Sequence, residues 1–211
     1  MPTGLYQKGK GNSGEMMSTE FLPDITPDEI KNLELRSFEG KIIVVNDMQG
    51  FTKAITHLSG CKTLGFDTET RPSFKKGKRN KVSLLQLSDE KTAYLFRINK
   101  IGIPDELKNI LCSSEIKKIG VAIHDDLRFL GHVSKLQPEG FIDLQKFVKD
   151  YGIESSGLKK LAAIVLGFRI SKSQQVTDWE AQHLTEAQVV YAATDAWVCL
   201  EIYKKLIDHR K

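Results

Sequence analysis

The sequence predicts an α/β domain in which a mixed central sheet is flanked by helices. Three strand-like stretches follow one another through short or turn-like links, an arrangement that is typical of an antiparallel meander. Beyond them, helical and strand-like stretches alternate, which favours strands joined through helices. The chain has 211 residues, of which 40% are hydrophobic and 27% charged, so we expect one domain with a sizeable core.

The N-terminal part predicts a tail followed by a helix, a strand and a second helix. Residues 1–22 are rich in Gly, Lys and polar residues and lack the apolar centre of a secretory signal, so we expect a disordered tail before one domain at 23–211. The TPDE motif is a capping box with Pro at the first helical position, which predicts a short helix to about residue 35. KIIVV (41–45) predicts a strand, and the apolar residues of 47–58 recur at helical spacing.

The rest of the chain supplies the meander and the alternating elements. Bulky and β-branched residues predict the meander strands at 63–69, 82–88 and 92–98. A second capping box, Thr185 to Gln188, begins the last helix. Between them we predict helices at 104–112, 125–132 and 157–167 and strands at 117–121 and about 141–144.

Two acidic pairs lie at the ends of predicted strands. Residues i and i+2 of a strand point the same way, so Asp67 and Glu69 in LGFDTET share one face at the end of an apolar run. This pair is either a solvated strand end or part of a cation site. The second pair, Asp125 and Asp126, lies where a strand meets a helix. These residues either cap the helix or belong to a catalytic site.

A third acidic feature lies on the last helix, where Tyr191 and Asp195 are one turn apart. We expect the apolar face of this helix to meet the core and this pair to lie on the opposite face. Taken together, the acids of the three segments offer the oxygen ligands that hard divalent cations prefer. Two such ions about 3.5–4 Å apart stabilise both the attacking and the leaving oxygen of a phosphoryl displacement.

The ordered set of motifs resembles a known enzyme family. FDTET, KVSLLQLS, GVAIHDDLRFL and DWEAQHLTEAQVVYAATDAW are similar to the DEDD superfamily of 3′-5′ exonucleases, and the tyrosine places the likeness in the DEDDy subgroup. The ribonuclease D and Werner-type exonuclease domains are most similar, over about residues 40–207. The resemblance implies a ribonuclease-H-like fold, in agreement with the mixed sheet predicted above.

The resemblance also implies a role for each motif residue. Asp67 and Glu69 correspond to the ligands of the first motif, Asp126 to that of the second and Asp195 to that of the third. Asp125 is the alternative ligand of the second motif. Tyr191 would position the attacking water, because a reference pKa near 10 makes it a poor base at pH 7. Two divalent ions, Mg²⁺ or Mn²⁺, are implied, one held by Asp67, Glu69 and Asp195 and one near Asp67 and Asp126.

The implied function is metal-dependent hydrolysis of nucleic acid from its 3′ end to nucleoside 5′-monophosphates. Ribonuclease D carries further helical domains, whereas this sequence ends just after the third motif, so a single-stranded or 3′-recessed DNA substrate is slightly favoured over RNA. Two alternatives stay open. The chain could be a nucleic-acid-binding module of the same fold without turnover, or a metal-dependent phosphohydrolase for small nucleotides.

Basic residues support a nucleic acid partner. The net charge is +4, and without the four implied ligands the balance becomes 31 − 23 = +8. The densest cluster, KKGKRNK, could hold phosphates or form a solvated hairpin tip, and the preceding Phe74 could stack on a base or pack. Trp179 is interpreted as a packing residue, and Lys172 and Gln174 as possible substrate contacts. The candidate phosphate-binding residues of the cluster are Lys75, Lys76, Lys78, Arg79 and Lys81.

Composition also bears on the compartment. No apolar run approaches the ~18 residues of a membrane span, so no membrane association is expected. The three cysteines, Cys61, Cys112 and Cys199, are far apart and fit no zinc spacing. We interpret them as reduced core thiols, and therefore expect a cytoplasmic protein.

Overall fold

The computed structural model describes residues 21–72 and 81–210. The predicted tail therefore lies outside the described residues except for Phe21 and Leu22. Phe21 is buried, and its ring lies edge-on to Tyr151 with 6.3 Å between the ring centroids. The packed part of the chain thus includes at least one residue that the sequence had assigned to the tail.

The described chain forms a six-stranded mixed sheet with strand order β1-β4-β3-β2-β5-β6. The three central strands are antiparallel neighbours, which confirms the predicted meander. On one side β5 and β6 extend the sheet in parallel, as predicted, and on the other β1 pairs in parallel with β4. The strands are β1 (Lys41–Val45), β2 (Thr63–Thr70), β3 (Val82–Ser88), β4 (Thr92–Phe96), β5 (Lys117–Gly120) and β6 (Phe141–Asp143).

Helices cover both faces of this sheet. Alternate residues of β3 show the division, because Leu85 and Leu87 join a core cluster with Phe51 and Leu130, whereas Leu84 packs with Trp179 and the last helix. The helices are α1 (Pro27–Lys31), α2 (Met48–Leu58), α3 (Ile98–Ile101), α4 (Asp105–Leu111), α5 (His124–Val133), α6 (Leu144–Phe147), α7 (Leu158–Leu161) and α8 (Glu186–His209). Among the described residues, no helix combines the length and the apolar character that a membrane crossing requires.

Three predicted elements differ from the structure by more than one residue. The capping box of α1 is present, but the helix ends at Lys31, and Leu35 instead forms a parallel bridge with Arg169. β4 ends at Phe96, and the short helix α3 follows. The helix predicted at 157–167 is divided, because α7 continues as a π-helical turn at Ala162–Leu166.

The contact between α8 and β2 positions the candidate site. A Cβ atom on Gly65 would lie 1.8 Å from the backbone oxygen of Ala196, so only glycine allows the helix to approach the strand this closely. Asp67 lies two residues after Gly65, and Asp195 directly precedes Ala196. The strand and the helix are therefore in direct backbone contact next to the acids that each of them carries.

The helix α8 is buried almost all round, unlike the expectation of one core face and one open face. Tyr191 and Asp195 are only 9% and 7% exposed. Helical spacing alone cannot predict this burial, because the residues that cover α8 come from other parts of the chain. The sheet lies against one side of the helix. On the other side, the ring of Trp179 contacts Tyr191 and the ring of Phe168 contacts Trp197. The expectation that this pair lies on an open face of α8 is therefore wrong.

Candidate active site

Three carboxylates meet where β2 ends under α8. Asp67 and Glu69 come from the strand and Asp195 from the helix, and one oxygen of each lies within 4.8 Å of the others. The i, i+2 spacing in β2 places the first two on one face, as expected. The structure thus brings together three of the sequence-predicted acids.

Tyr191 lies one turn before Asp195 on α8, and the two side chains are close enough for each to shift the pKa of the other. Burial raises the pKa of Tyr191 well above its usual range, and the charges of Asp195 and Glu69 raise it further. The phenol therefore stays protonated and acts as a donor. Trp179 is completely buried 6.1 Å from the Tyr191 ring, which confirms the interpretation of this tryptophan as a packing residue.

Asp126 lies beside the three-carboxylate group. The hydroxyl of Thr68, between Asp67 and Glu69 in β2, donates a hydrogen bond of 2.5 Å to Asp126 Oδ1. The charge of Asp126 raises the pKa of Asp67, after the larger effects of burial and of the Asp195 and Glu69 charges. Asp126 is thus close enough to act on the group electrostatically.

Asp125 has different surroundings. Its side chain is 49% exposed and forms an ion pair of 2.9 Å with Arg128, one turn along α5. Both aspartates lie in the first turn of α5, where negative charge is favourable. The sequence left open which of the two aspartates is the ligand of the second motif. Asp126 is the one that accepts a hydrogen bond from β2 and lies beside the other acids.

The carboxylates are difficult to ionise together. Burial and then the charges of Asp195 and Asp126 raise the pKa of Glu69 to about 9. Burial raises the pKa of Asp195 to about 7, although the hydrogen bond from Tyr191 and the charge of Lys172 oppose the shift. The pKa of Asp67 is also raised well above its usual range, mainly by burial. Such a group needs either protons or cations to balance its charge.

The donor set fits a hard divalent ion. All of the converging atoms are carboxylate oxygens, which Mg²⁺ and Mn²⁺ prefer, and the group lies at an open cavity rather than in a closed cage. A cation there would replace the protons that the raised pKa values otherwise retain. The site residues and a divalent ion are therefore chemically compatible.

The acids line a cavity of about 250 Å³ that also contains residues missed by the sequence analysis. Lys172, predicted as a possible substrate contact, lines this cavity. Gln174, which was predicted together with it, is not one of the lining residues, whereas the next residue, Gln175, is. Lys159, from the first turn of α7, adds a second cation. No local signal identified Lys159, because its position depends on how α7 packs against the sheet.

The predicted nucleic-acid-binding residues cannot be placed. Phe74, Lys75, Lys76, Lys78 and Arg79 lie outside the described residues, so their roles stay predictions. Lys81, at the end of the same cluster, is exposed immediately before β3.

Sheet order and site together define a class of protein. The domain has a ribonuclease-H-like fold with an acidic site at the end of a central strand. The chain belongs to the 3′-5′ exonuclease family, whose model matches residues 42–209. This result agrees with the resemblance found in the four sequence motifs.

Individual relatives include an exonuclease/helicase and a ribonuclease. The chain is 35% identical over 185 residues to the mouse (Mus musculus) bifunctional 3′-5′ exonuclease/ATP-dependent helicase WRN, covering 83% of this chain and 13% of the mouse protein. It is 29% identical over 194 residues to ribonuclease D of Shewanella sp. (strain ANA-3), covering 89% of this chain and 47% of that protein. The chain thus spans less than half the length of these curated relatives.

A solved structure supports the fold independently. The structure of Escherichia coli RNase D, an exoribonuclease involved in structured RNA processing, superposes with a TM-score of 0.71 and 27% identity. The match covers 80% of this chain and 44% of the E. coli chain. It confirms the predicted ribonuclease-H-like sheet with its flanking helices.

Proposed function

We propose that this chain is a metal-dependent 3′-5′ exonuclease that hydrolyses nucleic acid to nucleoside 5′-monophosphates. The observation that carries the proposal is the convergence of Asp67, Glu69 and Asp195 within 4.8 Å at an open cavity, in a chain of the 3′-5′ exonuclease family. A binding module without turnover would gain nothing from burying carboxylates that repel one another.

Two divalent ions, Mg²⁺ or Mn²⁺, would complete the site. Asp67, Glu69 and Asp195 would hold one, and Asp67 with Asp126 the other. When bound, such ions lower the pKa of water and stabilise the attacking and leaving oxygens of an in-line displacement at phosphorus. The hydrogen bond from Thr68 to Asp126 would fix the carboxylate of the second-motif ligand.

Tyr191 would position the attacking water. Its hydroxyl keeps its proton because burial and the neighbouring carboxylates raise its pKa. It therefore cannot act as a general base near neutral pH, and its contribution is orientation through hydrogen bonding. The completely buried Trp179 against its ring would hold the phenol in place.

Lys159 and Lys172 would receive the phosphate of the scissile nucleotide. Both line the acid-containing cavity from the side of α7 and the loop after it. Because phosphate binding by lysine depends on charge more than on geometry, each should contribute to substrate binding and to its salt dependence.

The substrate class rests on the relatives rather than on a residue of this site. One relative carries a helicase name and another is a ribonuclease, so both nucleic acids are candidates. We propose single-stranded or 3′-recessed DNA as the preferred substrate, in line with the sequence expectation. Discrimination would depend on contacts to the 2′-hydroxyl of RNA.

Digestion of matched strands tests the proposal. Single-stranded DNA, single-stranded RNA and a 3′-recessed duplex, each labelled at the 5′ end, are incubated with Mg²⁺ or Mn²⁺ and then with a chelator. We expect a ladder of stepwise shortening that the chelator abolishes, with nucleoside 5′-monophosphates as products. Tight binding without shortening would support the binding module, and hydrolysis of free nucleotides alone would support the phosphohydrolase.

The site assignment has its own variants in this assay. Asp67→Asn should lower the rate by about 10³-fold, which corresponds to roughly 4 kcal/mol of lost transition-state stabilisation. Asp125→Asn is the matched control, because this exposed aspartate pairs with Arg128. Its rate should stay within about twofold of the wild type. Wild-type digestion by Asp67→Asn would refute the assignment.

A further inference from the structure

A second group of potential metal ligands lies at the opposite end of β2. It consists of His57 near the end of α2, Cys61 in the turn that follows, and Asp89 in the turn between β3 and β4. The four-residue spacing of His57 and Cys61 brings these side chains to one side of the chain, as in a helical turn. From Thr63 to Asp67, β2 spans about 13 Å, which separates this group from the active-site acids.

The three donor atoms are nearly in position to share an ion. One ligand atom of each residue lies within 4.8 Å of the others, and His57 Nε2 is 2.5 Å from Asp89 Oδ2. Ligands of a tetrahedral zinc ion with bonds of about 2.0–2.3 Å lie roughly 3.3–3.6 Å apart. Small side-chain rotations would therefore convert the His57–Asp89 pair and the nearby thiol into a coordination group.

The carboxylate of Asp89 is held in an orientation that suits a ligand. Its Oδ1 accepts hydrogen bonds of 2.7 Å from the backbone N–H groups of both Lys91 and Thr92. These bonds fix the side chain and leave Oδ2 directed at His57. Such supporting hydrogen bonds are typical of protein metal ligands.

An ion can reach the group from solvent. The side chains of His57 and Asp89 are 43% and 23% exposed. Cys61 and Asp89 also line a cavity of about 530 Å³ beside the C-terminal half of α8. A fourth coordination position could therefore be filled by water.

We propose that His57, Cys61 and Asp89 form a zinc site separate from the exonuclease site. An imidazole, a thiolate and a carboxylate suit borderline-soft Zn²⁺, whereas the all-oxygen active site suits Mg²⁺ or Mn²⁺. Bound zinc would join the end of α2 to the β3–β4 turn, 32 residues further along the chain. The sequence predicted no zinc site, because Asp89 reaches His57 and Cys61 only through the pairing of the strands.

Cobalt substitution tests the site directly. The reduced, full-length chain is titrated with Co²⁺ in a large excess of Mg²⁺, so that the oxygen-only site is occupied. We expect a thiolate-to-cobalt charge-transfer band that equimolar Zn²⁺ removes. Cys61→Ser should abolish this band, and His57→Gln and Asp89→Asn should weaken Co²⁺ binding by at least about tenfold. Asn keeps an oxygen that can accept the turn hydrogen bonds of Asp89, so this variant isolates the carboxylate.

The matched control is Cys112→Ser, since Cys112 is also a free, half-buried cysteine but lies outside the group. This variant should retain the band and the affinity. A second readout follows alkylation by mass spectrometry, in which Zn²⁺ should slow the modification of Cys61 but not of Cys112. No band in the wild type, a band that persists in Cys61→Ser, or equal alkylation with and without Zn²⁺ would overturn the proposal.

The exonuclease proposal and the zinc proposal can be tested independently of each other. Cys61→Ser should digest nucleic acid at the wild-type rate in Mg²⁺, because the group does not touch the active-site acids. The variant also serves as the folding control, since serine can keep the contact of the Cys61 side chain with the His57 backbone oxygen.

Discussion

Replacing Asp67 by asparagine should stabilise the metal-free protein while it removes activity. Asp67 is half-buried, and one of its carboxylate oxygens lies within 4.8 Å of an oxygen of both Glu69 and Asp195. Asparagine has nearly the same shape but carries no charge, so the substitution removes like-charge repulsion without leaving a cavity. Replacing a residue that serves only the fold would instead lower the free energy of unfolding of the protein.

The size of the effect follows from the geometry. Two unit charges 4.8 Å apart repel by about 3 kcal/mol at an effective dielectric constant near 20. The wild type can escape this repulsion only by keeping protons, because the pKa of Glu69 is raised to about 9. Keeping protons that the unfolded chain releases also lowers the free energy of unfolding, so the cost remains in either form. We therefore expect a gain of about 2–3 kcal/mol at pH 8.5, which corresponds to a rise in Tm of about 4–12 °C.

The effect should also depend on pH. An unfolded Glu69 releases its proton near 4.5 and the folded one near 9, so between these values the folded state holds more protons. Asp195 behaves in the same way up to about pH 7. The free energy of unfolding of the metal-free wild type should therefore fall as the pH rises from about 5 to 9. Asp67→Asn should fall less steeply, so the difference between the two should widen.

Urea denaturation in the presence of a chelator, at pH 5 and pH 8.5, measures both quantities. Adding Mg²⁺ should stabilise the wild type more than Asp67→Asn, because the ion replaces the missing counter-charge. Asp125→Asn is the control and should change stability by less than about 1 kcal/mol at either pH, as expected for an exposed ion pair. A metal-free Asp67→Asn that is less stable than the wild type at pH 8.5 would refute the electrostatic reasoning.

Three further substitutions test the supports of the site. Gly65→Ala should force α8 away from β2 at Ala196, lowering the free energy of unfolding by about 1–3 kcal/mol and reducing nuclease activity; unchanged urea denaturation would contradict the close contact. Ala122→Gly, at a residue with φ of 57°, should leave stability unchanged or raise it by up to about 1 kcal/mol, and a clear loss would argue against backbone strain there. Tyr191→Phe should slow turnover by about 10²-fold with little change in KM, and an unchanged kcat would remove the phenol from the mechanism.

Local patterns predicted the elements that carry the acids. The strand that carries Asp67 and Glu69 is set by its own apolar residues, and the start of α8 is set by its capping box. Both elements could therefore be predicted from neighbouring residues in the sequence. The pairing of the edge strand β1 with β4 depends on residues about 50 positions apart in the chain, and no local pattern indicates it. The same limit applies to Lys159, which reaches the acidic cavity only through tertiary packing.

Burial was harder to predict than position. Helical spacing placed Tyr191 and Asp195 on one side of α8 correctly, but it could not show that a second layer covers this side. The completely buried Trp179 belongs to that layer, and it comes from a loop without a regular hydrophobic period. The zinc ligands illustrate the same difficulty, because Asp89 joins His57 and Cys61 from a turn that only the sheet brings near.

Anomalous diffraction from crystals grown with Mn²⁺ and a nucleoside 5′-monophosphate would show directly whether the acids hold two metal ions. We expect two manganese peaks about 3.5–4 Å apart, one against Asp67, Glu69 and Asp195 and the other between Asp67 and Asp126. The nucleotide phosphate should contact both ions. Manganese bound elsewhere on the chain, with no peak within bonding distance of Asp67, would show that these acids do not form the metal site.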